Sequence, residues 1–436
     1  MRGGGDDGPP ALPDVLVVGG GPAGSASALL LARRGWTVHL LERSYFPRAK
    51  ACGECLNPGA VSVLGRLGLL ERVLALEPAV LEGWEIRSGS AAGRACFPRG
   101  AGTGLALPRA QLDQALLAAA RSAGVAVEHG LTVRSVGPAD SRGCRTALVR
   151  ERDGREGTRR GRVLVGADGL RSVVARAAGG PRRPPELRKL SLTLRVRGRR
   201  AGGRLGLLVL DGGGTVGLAP VSAARDLWNL SVVVAAERWG RGVAADPLAF
   251  AIDAAERAAL GWTEGPEVLA GPWASGPFDR PMRAVAATGI FLVGDAAGYY
   301  DPLTGQGIYR ALRSAELAAD AIDRALRVGR ESGGSGGTPG RVLGAAARRY
   351  RVRHAAAFTT GRMVQRVVEE AISRDALREP LVERLGRRPE ALARLFAVTG
   401  DAISAIRLLG PGMLGPLILP ARRHHEGRAA HRAADD

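Results

Sequence analysis

Asp14-Val-Leu-Val-Val-Gly19-Gly-Gly21-Pro-Ala-Gly24, followed after a helical stretch by Thr37-Val-His-Leu-Leu-Glu42, decides how this chain begins to fold. Residues 15–18 are an apolar, β-branched run of the kind that forms a parallel strand covered on both faces, and the run stops at three glycines. Gly19 and Gly21 permit a tight turn and close backbone approach. Gly24 removes a side chain where the next helix must pack on the sheet, and Pro22 suits a first helical turn because it has no N–H to lose. A helix starting there offers unpaired N–H groups and its positive dipole end to a pyrophosphate. Arg33, Arg34 and Gly35 carry the signals of its end. Glu42 closes the second strand, where the carboxylate that accepts from a ribose hydroxyl belongs.

Glycine spacing alone proves little, as the same chain demonstrates. Gly212-Gly-Gly214-Thr-Val-Gly217 repeats the pattern after the apolar run 205–210 and has Glu237 downstream. The next strand-like run, 228–234, follows too closely for a crossover helix, and Pro220 interrupts the gap, so a β-hairpin is predicted.

The chain has 436 residues, 45% of them hydrophobic, which exceeds what one core usually holds; two domains and an extension are expected. A net charge of +20 raises nucleic-acid binding as a rival class. Yet Lys50 and Lys189 are the only lysines among 62 basic residues, and the arginines are scattered among acids without a basic block or stacking pattern. No nucleic-acid partner is expected, and the arginine excess with abundant Ala and Gly reads as the habit of a GC-rich genome. Cys52, Cys55, Cys96 and Cys144 make no secreted disulfide framework, and no signal-peptide pattern precedes the first strand; a reducing cytoplasm is the expected location. Cys52-Gly-Glu-Cys55 has the spacing of a redox pair or half a zinc site, but nothing completes a metal shell, and His424, His425 and His431 sit in a polar tail; no metal is expected. No apolar run reaches spanning length. The run from Leu408 to Pro420, followed by Arg422 and Arg423, reads either as a buried C-terminal segment or as a peripheral membrane contact.

Farther along, a loop at 43–58 precedes helical spacing through Val61, Leu64, Leu67 and Leu70. Trp84-Glu-Ile-Arg87 and Ala95-Cys-Phe97 read as short strands, 109–123 as an amphipathic helix, and Val125-Ala-Val-Glu128 as a strand. Arg162-Val-Leu-Val-Gly-Ala-Asp168-Gly169 is an apolar strand ending in a turn, with a helix starting near Ser172. Between 185 and 284 the pattern changes to alternating strands at 190–196, 205–210, 216–219 and 230–234, a sheet suited to face a substrate. Gly289-Ile-Phe-Leu-Val-Gly294-Asp295 is a third buried strand, and a long helix is expected over 307–326. Residues 329–340 are Gly- and Ser-rich, and helical character resumes over 342–419.

Three separated strands ending at Gly19, at Asp168-Gly169 and at Gly294-Asp295 are more than a simple nucleotide unit. With Glu42, Pro47-Arg-x-Lys50-x-Cys52-Gly53, Arg109-x-x-Leu-Asp113 and Thr304-Gly-Gln-Gly307, the chain resembles the FAD-dependent aromatic hydroxylase (p-hydroxybenzoate hydroxylase-like) superfamily, in its geranylgeranyl reductase-like branch. The resemblance covers about 14–330 and implies an α/β fold. Its parts would be a discontinuous Rossmann-like FAD-binding domain (14–86, 104–184, 285–328), an interleaved, mostly antiparallel β-sheet substrate domain (87–103, 185–284) and a C-terminal helical region (341–421). Residues 1–13 and 422–436 are read as disordered tails.

The resemblance also implies roles. Gly19, Gly21, Ala23, Gly24, Arg43, Gly53, Asp168 and Gly294 would line the FAD cradle. Glu42 would accept from the adenosine ribose, Arg109 would bind FAD through its charge and planar fork, and Asp295 would accept from ribityl hydroxyls. Gly305, Gly307 and Ile308 would let the helix start approach the flavin edge, where negative charge gathers on reduction. Cys52 would lie beside the flavin as a catalytic residue; a Cys52–Cys55 redox pair is the alternative.

Two reactions fit the family. In the one placed first, NAD(P)H reduces FAD and a flavin C4a-hydroperoxide hydroxylates a hydrophobic or aromatic small molecule, a phenolic or polyketide-derived product of secondary metabolism. In the other, reduced FAD saturates prenyl-chain double bonds. Reductases of the branch carry Tyr-x-Trp-x-Phe-Pro in the sheet and halogenases Trp-x-Trp-x-Ile-Pro, whereas this chain has Val216-Gly-Leu-Ala-Pro220. No separate NAD(P)H domain is visible, so the reductant would bind transiently or electrons would come from a partner. The rival from another class is a non-enzymatic nucleotide or nucleic-acid binder.

Overall fold

The computed structural model describes residues 12–404 apart from 201–203, 213 and 332–338. The predicted first strand, Val15–Val18, is buried along its whole length near the middle of a six-stranded sheet. Its neighbours are Val38–Glu42 on one side and Val163–Gly166 on the other, both parallel to it. Ala126–His129 and Ile290–Leu292 extend the parallel run outward, and the two-residue strand Ala286–Ala287 closes one edge antiparallel.

The period-two alternation of the central strand explains the layers. Val15 and Val17 face a core shared with the helices Pro22–Ala32, Arg109–Ser122 and Gly307–Glu331. Leu16 and Val18 face a second cluster with Val133, Ala147 and Val149, from a small antiparallel sheet of Thr132–Val136, Arg145–Arg150 and Glu156–Gly161.

The second large sheet has seven strands in the order Glu267–Ser275, Lys189–Arg197, Leu227–Ala235, Gly214–Pro220, Leu205–Asp211, Gly83–Ser88, Ala91–Cys96. Its pairs are antiparallel except Leu205–Asp211 with Gly83–Ser88. The second glycine-rich match is the turn of a hairpin, with Asp211 opposite Gly214. The junction expected at 86/87 falls inside the strand Gly83–Ser88, because the partner that claims this strand is more than a hundred residues away and invisible to local patterning. Helices Ala236–Ala245 and Pro247–Arg257 cover one face through Val243, Ala251 and Ala254, packed on Leu192, Leu194 and Val196.

The helix expected near Ser172 is a single turn, Val174–Ala177. The long helix continues to Glu331, past the predicted 326, and the C-terminal helices are Pro339–Ser373, Asp375–Gly386 and Pro389–Thr399. The segment 408–420, the rest of 405–421 and the tails 1–11 and 422–436 lie outside the described residues. No described helix is long and apolar enough to cross a membrane.

Tyr350 ties the Pro339–Ser373 helix to the first sheet. Its ring is fully buried against Phe291, 5.7 Å between centroids, and its hydroxyl donates to the Leu292 carbonyl at 2.6 Å. Tyr350→Phe keeps the ring but leaves that carbonyl dry and unpaired, at a cost of about 1–3 kcal/mol. The urea midpoint is expected to fall; an unchanged midpoint would contradict this account.

Candidate active site

One cavity of about 1400 Å³ runs from the glycine turn to the seven-stranded sheet and the C-terminal helices. It exceeds a usual small-molecule site, leaving room for a dinucleotide and a second ligand. Every residue predicted for the site lines it except Gly24. Gly24 serves the packing predicted for it, since a Cβ there would lie 1.8 Å from the Gly19 carbonyl oxygen. Gly19 itself has φ +102°, and a Cβ would sit 2.4 Å from Ala167 O.

Glu42 is buried and already holds backbone. Its carboxylate accepts from Gly20 N at 2.6 Å and from Ser44 N at 2.9 Å. It therefore clamps the turn, and its remaining lone pairs are what a ribose could use. Arg43 and Ala23 line the same end.

Arg109 is held by a carboxylate of its own helix. Its Nε and Nη2 each donate to buried Asp113 at 2.8 Å, a bidentate pair one helical turn away, and its backbone N–H donates to Glu54 Oε1 at 2.8 Å. Two nitrogens of the fork are thus held by Asp113, and the guanidinium also meets Cys52 in the cavity wall. Arg48, quoted in the sequence motif without a role, stands in the open position. Its guanidinium lies over the Phe46 ring, with Nη2 3.4 Å from Asp113 and 3.6 Å from where a Gly21 Cβ would be. Its Nε is buried without a hydrogen-bond partner. The glycine cradle and this orphaned donor at the helix N-terminus suit an anionic pyrophosphate.

Asp168 is likewise occupied: it accepts from Ser172 Oγ at 2.5 Å and from Val173 N at 2.6 Å, capping the short helix, while burial raises its pKa against those bonds. Gly294, at φ +58°, donates to Ser314 Oγ at 2.8 Å, which seats the Gly294–Ala297 turn on the long helix. Asp295 faces the cavity with Lys50 Nζ 3.8 Å away. Gly305, Gly307 and Ile308 lie at the start of the long helix, and a Cβ on Gly305 would meet open space.

Cys52 and Cys55 are free thiols. Cys52 Sγ accepts from Glu54 N at 3.3 Å, and Cys55 Sγ donates to Gly53 O at 3.1 Å. Burial pushes the Cys55 thiol well up, with Cys52 and Glu54 adding to it, which disfavours the thiolate that exchange chemistry needs.

Sequence reasoning missed Asp401. Just past the Pro389–Thr399 helix, it accepts from Asn57 Nδ2 at 2.9 Å and from Gln306 Nε2 at 3.0 Å, tying that helix to the turn before Gly307. No local signal marks it, since Asn57 is 344 residues away.

On the substrate side, alternation along Lys189–Arg197 turns Lys189 and Ser191 to the cavity while Leu192 and Leu194 face the covering helices. Gly217, Leu218 and Ala219 line the wall where the family's aromatic element was expected.

A family model described as an FAD binding domain matches residues 13–332. A menaquinone reductase of Mycobacterium tuberculosis is 30% identical over 71% of this chain and 76% of its own length. A digeranylgeranylglycerophospholipid reductase of Methanopyrus kandleri is 28% identical over 72% of this chain and 81% of its own. Among solved structures, the myxobacterial chondrochloren halogenase, a variant of FAD-dependent halogenases, superposes with a TM-score of 0.72 at 25% identity, covering 93% of each chain.

Two outcomes follow from the geometry. Glu42→Ala, which frees Gly20, and Asp295→Ala are each expected to lower the FAD that co-purifies, read from visible absorption; unchanged occupancy in both would refute the cradle. Burial pushes Asp401 up to about 8, opposed by Asn57, Arg310 and Gln306. An acid raised from about 3.9 when unfolded binds its proton more tightly when folded. Its contribution is complete below about pH 4 and lost as pH rises through 8. Asp401→Asn should flatten the decline of the melting temperature over this range; identical pH profiles would refute it.

Proposed function

This chain belongs to the FAD binding domain family, and on that premise we propose that it is an FAD-dependent oxidoreductase acting on a hydrophobic small molecule. The observation that carries this reading is one continuous cavity, in which the glycine cradle opens directly into a compartment walled by the sheet and the C-terminal helices. Bound there, FAD would supply two-electron chemistry.

The chain's own residues bind, orient and exclude water. The Pro22–Ala32 N-terminus and Arg48 would neutralise the pyrophosphate, and Glu42 would keep the turn in shape while accepting from the ribose. Asp295 would accept from the ribityl chain. The start of the Gly307–Glu331 helix would present backbone N–H groups to the flavin edge, held in place by Gln306 and Asp401. Val364, Val368 and Phe396 face the apolar compartment and would keep it dry.

For the reaction we place reduction of the substrate first, because reductases align with this chain over more than 70% of its length. That reverses the order taken from sequence. NAD(P)H-dependent hydroxylation is the second reading, supported by the small Gly217-Leu-Ala219 stretch in the cavity wall. An electron donor, NAD(P)H or a partner protein, is required by either.

Labelled oxygen gas separates the readings. Reduction predicts that a hydrophobic quinone or isoprenoid substrate is consumed without air and that no label enters the product. Incorporation of label, with no anaerobic turnover, would overturn it in favour of hydroxylation.

A further inference from the structure

Pro339–Ser373, at 35 residues the longest described helix, is buried along one side only. Tyr350, His354, Phe358, Gln365 and Glu369 face the fold and are nearly inaccessible. The opposite side carries Val352, Ala356, Thr359, Thr360, Met363 and Val367, all exposed. Spacings of three and four residues keep them in one stripe, roughly 22 Å long at the rise of an α-helix. Val352, Met363 and Val367, at 69%, 61% and 70%, are the most exposed large apolar side chains described. A continuous uncharged stripe of this kind marks a contact surface.

The stripe complements itself when reversed. Turned antiparallel about a twofold axis between Thr359 and Thr360, it brings Val352 level with the Val367 of a second copy. Ala356 then falls level with the second copy's Met363, so that a small side chain meets a large one, as knobs-into-holes packing requires. Charge follows the same order. Arg348 and Arg349, which form no ion pair among the described residues, come level with the second copy's Glu370, an exposed carboxylate paired with Arg374 of its own helix. A parallel pairing would instead set Met363 on Met363 and arginines on arginines, which repel. Glu370 at one end of the stripe also disfavours an anionic lipid surface as its cover.

We infer that two copies of this chain associate through their Pro339–Ser373 helices, packed antiparallel across a twofold axis. Thr360, Met363 and Val367 also belong to the cavity wall. The partner's Val352 and Ala356 therefore cover the outer side of that wall, and each copy completes the cavity of the other. A self-complementary contact closes on itself and stops at two. The assembly goes beyond the reaction and holds for either reading of it.

Sedimentation velocity of the full-length flavoprotein over a micromolar concentration range tests this. Twice the mass of one chain is expected for the parent. Ala356→Asp sets a carboxylate beside the partner's Met363, and because the site is exposed in the single chain its far-ultraviolet spectrum should stay unchanged. The dissociation constant is expected to rise at least about a hundredfold. Glu370→Arg, facing Arg348 and Arg349, should weaken association roughly tenfold, and adding Arg349→Glu to it should recover most of that loss. These charge variants carry the test if Ala356→Asp does not fold. A parent that stays monomeric, whether or not it binds phosphatidylglycerol vesicles, overturns the inference. So does a dimer left intact by both Ala356→Asp and Glu370→Arg, since it would be built on another face.

Discussion

The tightest constraint among the described residues is the passage of the Pro22–Ala32 helix over the end of the first strand. A Cβ on Gly24 would lie 1.8 Å from the Gly19 carbonyl oxygen, and one on Gly19 would lie 2.4 Å from Ala167 O. Three backbone segments meet there at a separation no side chain permits. That meeting places a helix N-terminus at the sheet's carboxyl edge, where ligands of open α/β sheets bind. Glu42 fixes it from the next strand by accepting from Gly20.

Around this point the cavity is assembled from parts that share little sequence proximity. The parallel sheet supplies its polar end, and the seven-stranded sheet and three C-terminal helices supply its apolar end. Charged groups in the polar region are mostly spoken for: Arg109 by Asp113, Asp168 by the helix it caps, Glu54 by Arg195 and the Arg109 backbone. The buried donors left without a hydrogen-bond partner nearby include Arg48 Nε and Arg195 Nη1.

The strands, the glycine turn and the hairpin were legible because each is written in adjacent residues: an apolar run, a turn signal, a gap too short for a helix. The site was legible as a list of positions, and all but Gly24 reach the cavity wall. Their hydrogen bonding was not. That Arg109 spends its fork on Asp113 depends on both being buried, which a four-residue spacing does not reveal. The link from Asn57 and Gln306 to Asp401, and the grip of Asp301 and Glu369 on Lys189, join elements that only the tertiary fold brings together.

The cavity wall starts at Val18 and ends at Thr399. During translation the glycine turn emerges before its inner neighbour Val163–Gly166, the Asp295 turn follows later still, and the helix carrying Phe396 comes after both. Such long-range pairing is slow and cannot form before both partners exist. Capture of the cofactor therefore waits until segments as far apart as Val18 and Asp295 are both made. A ribosome stalled midway would display a nucleotide turn with nothing to close over it.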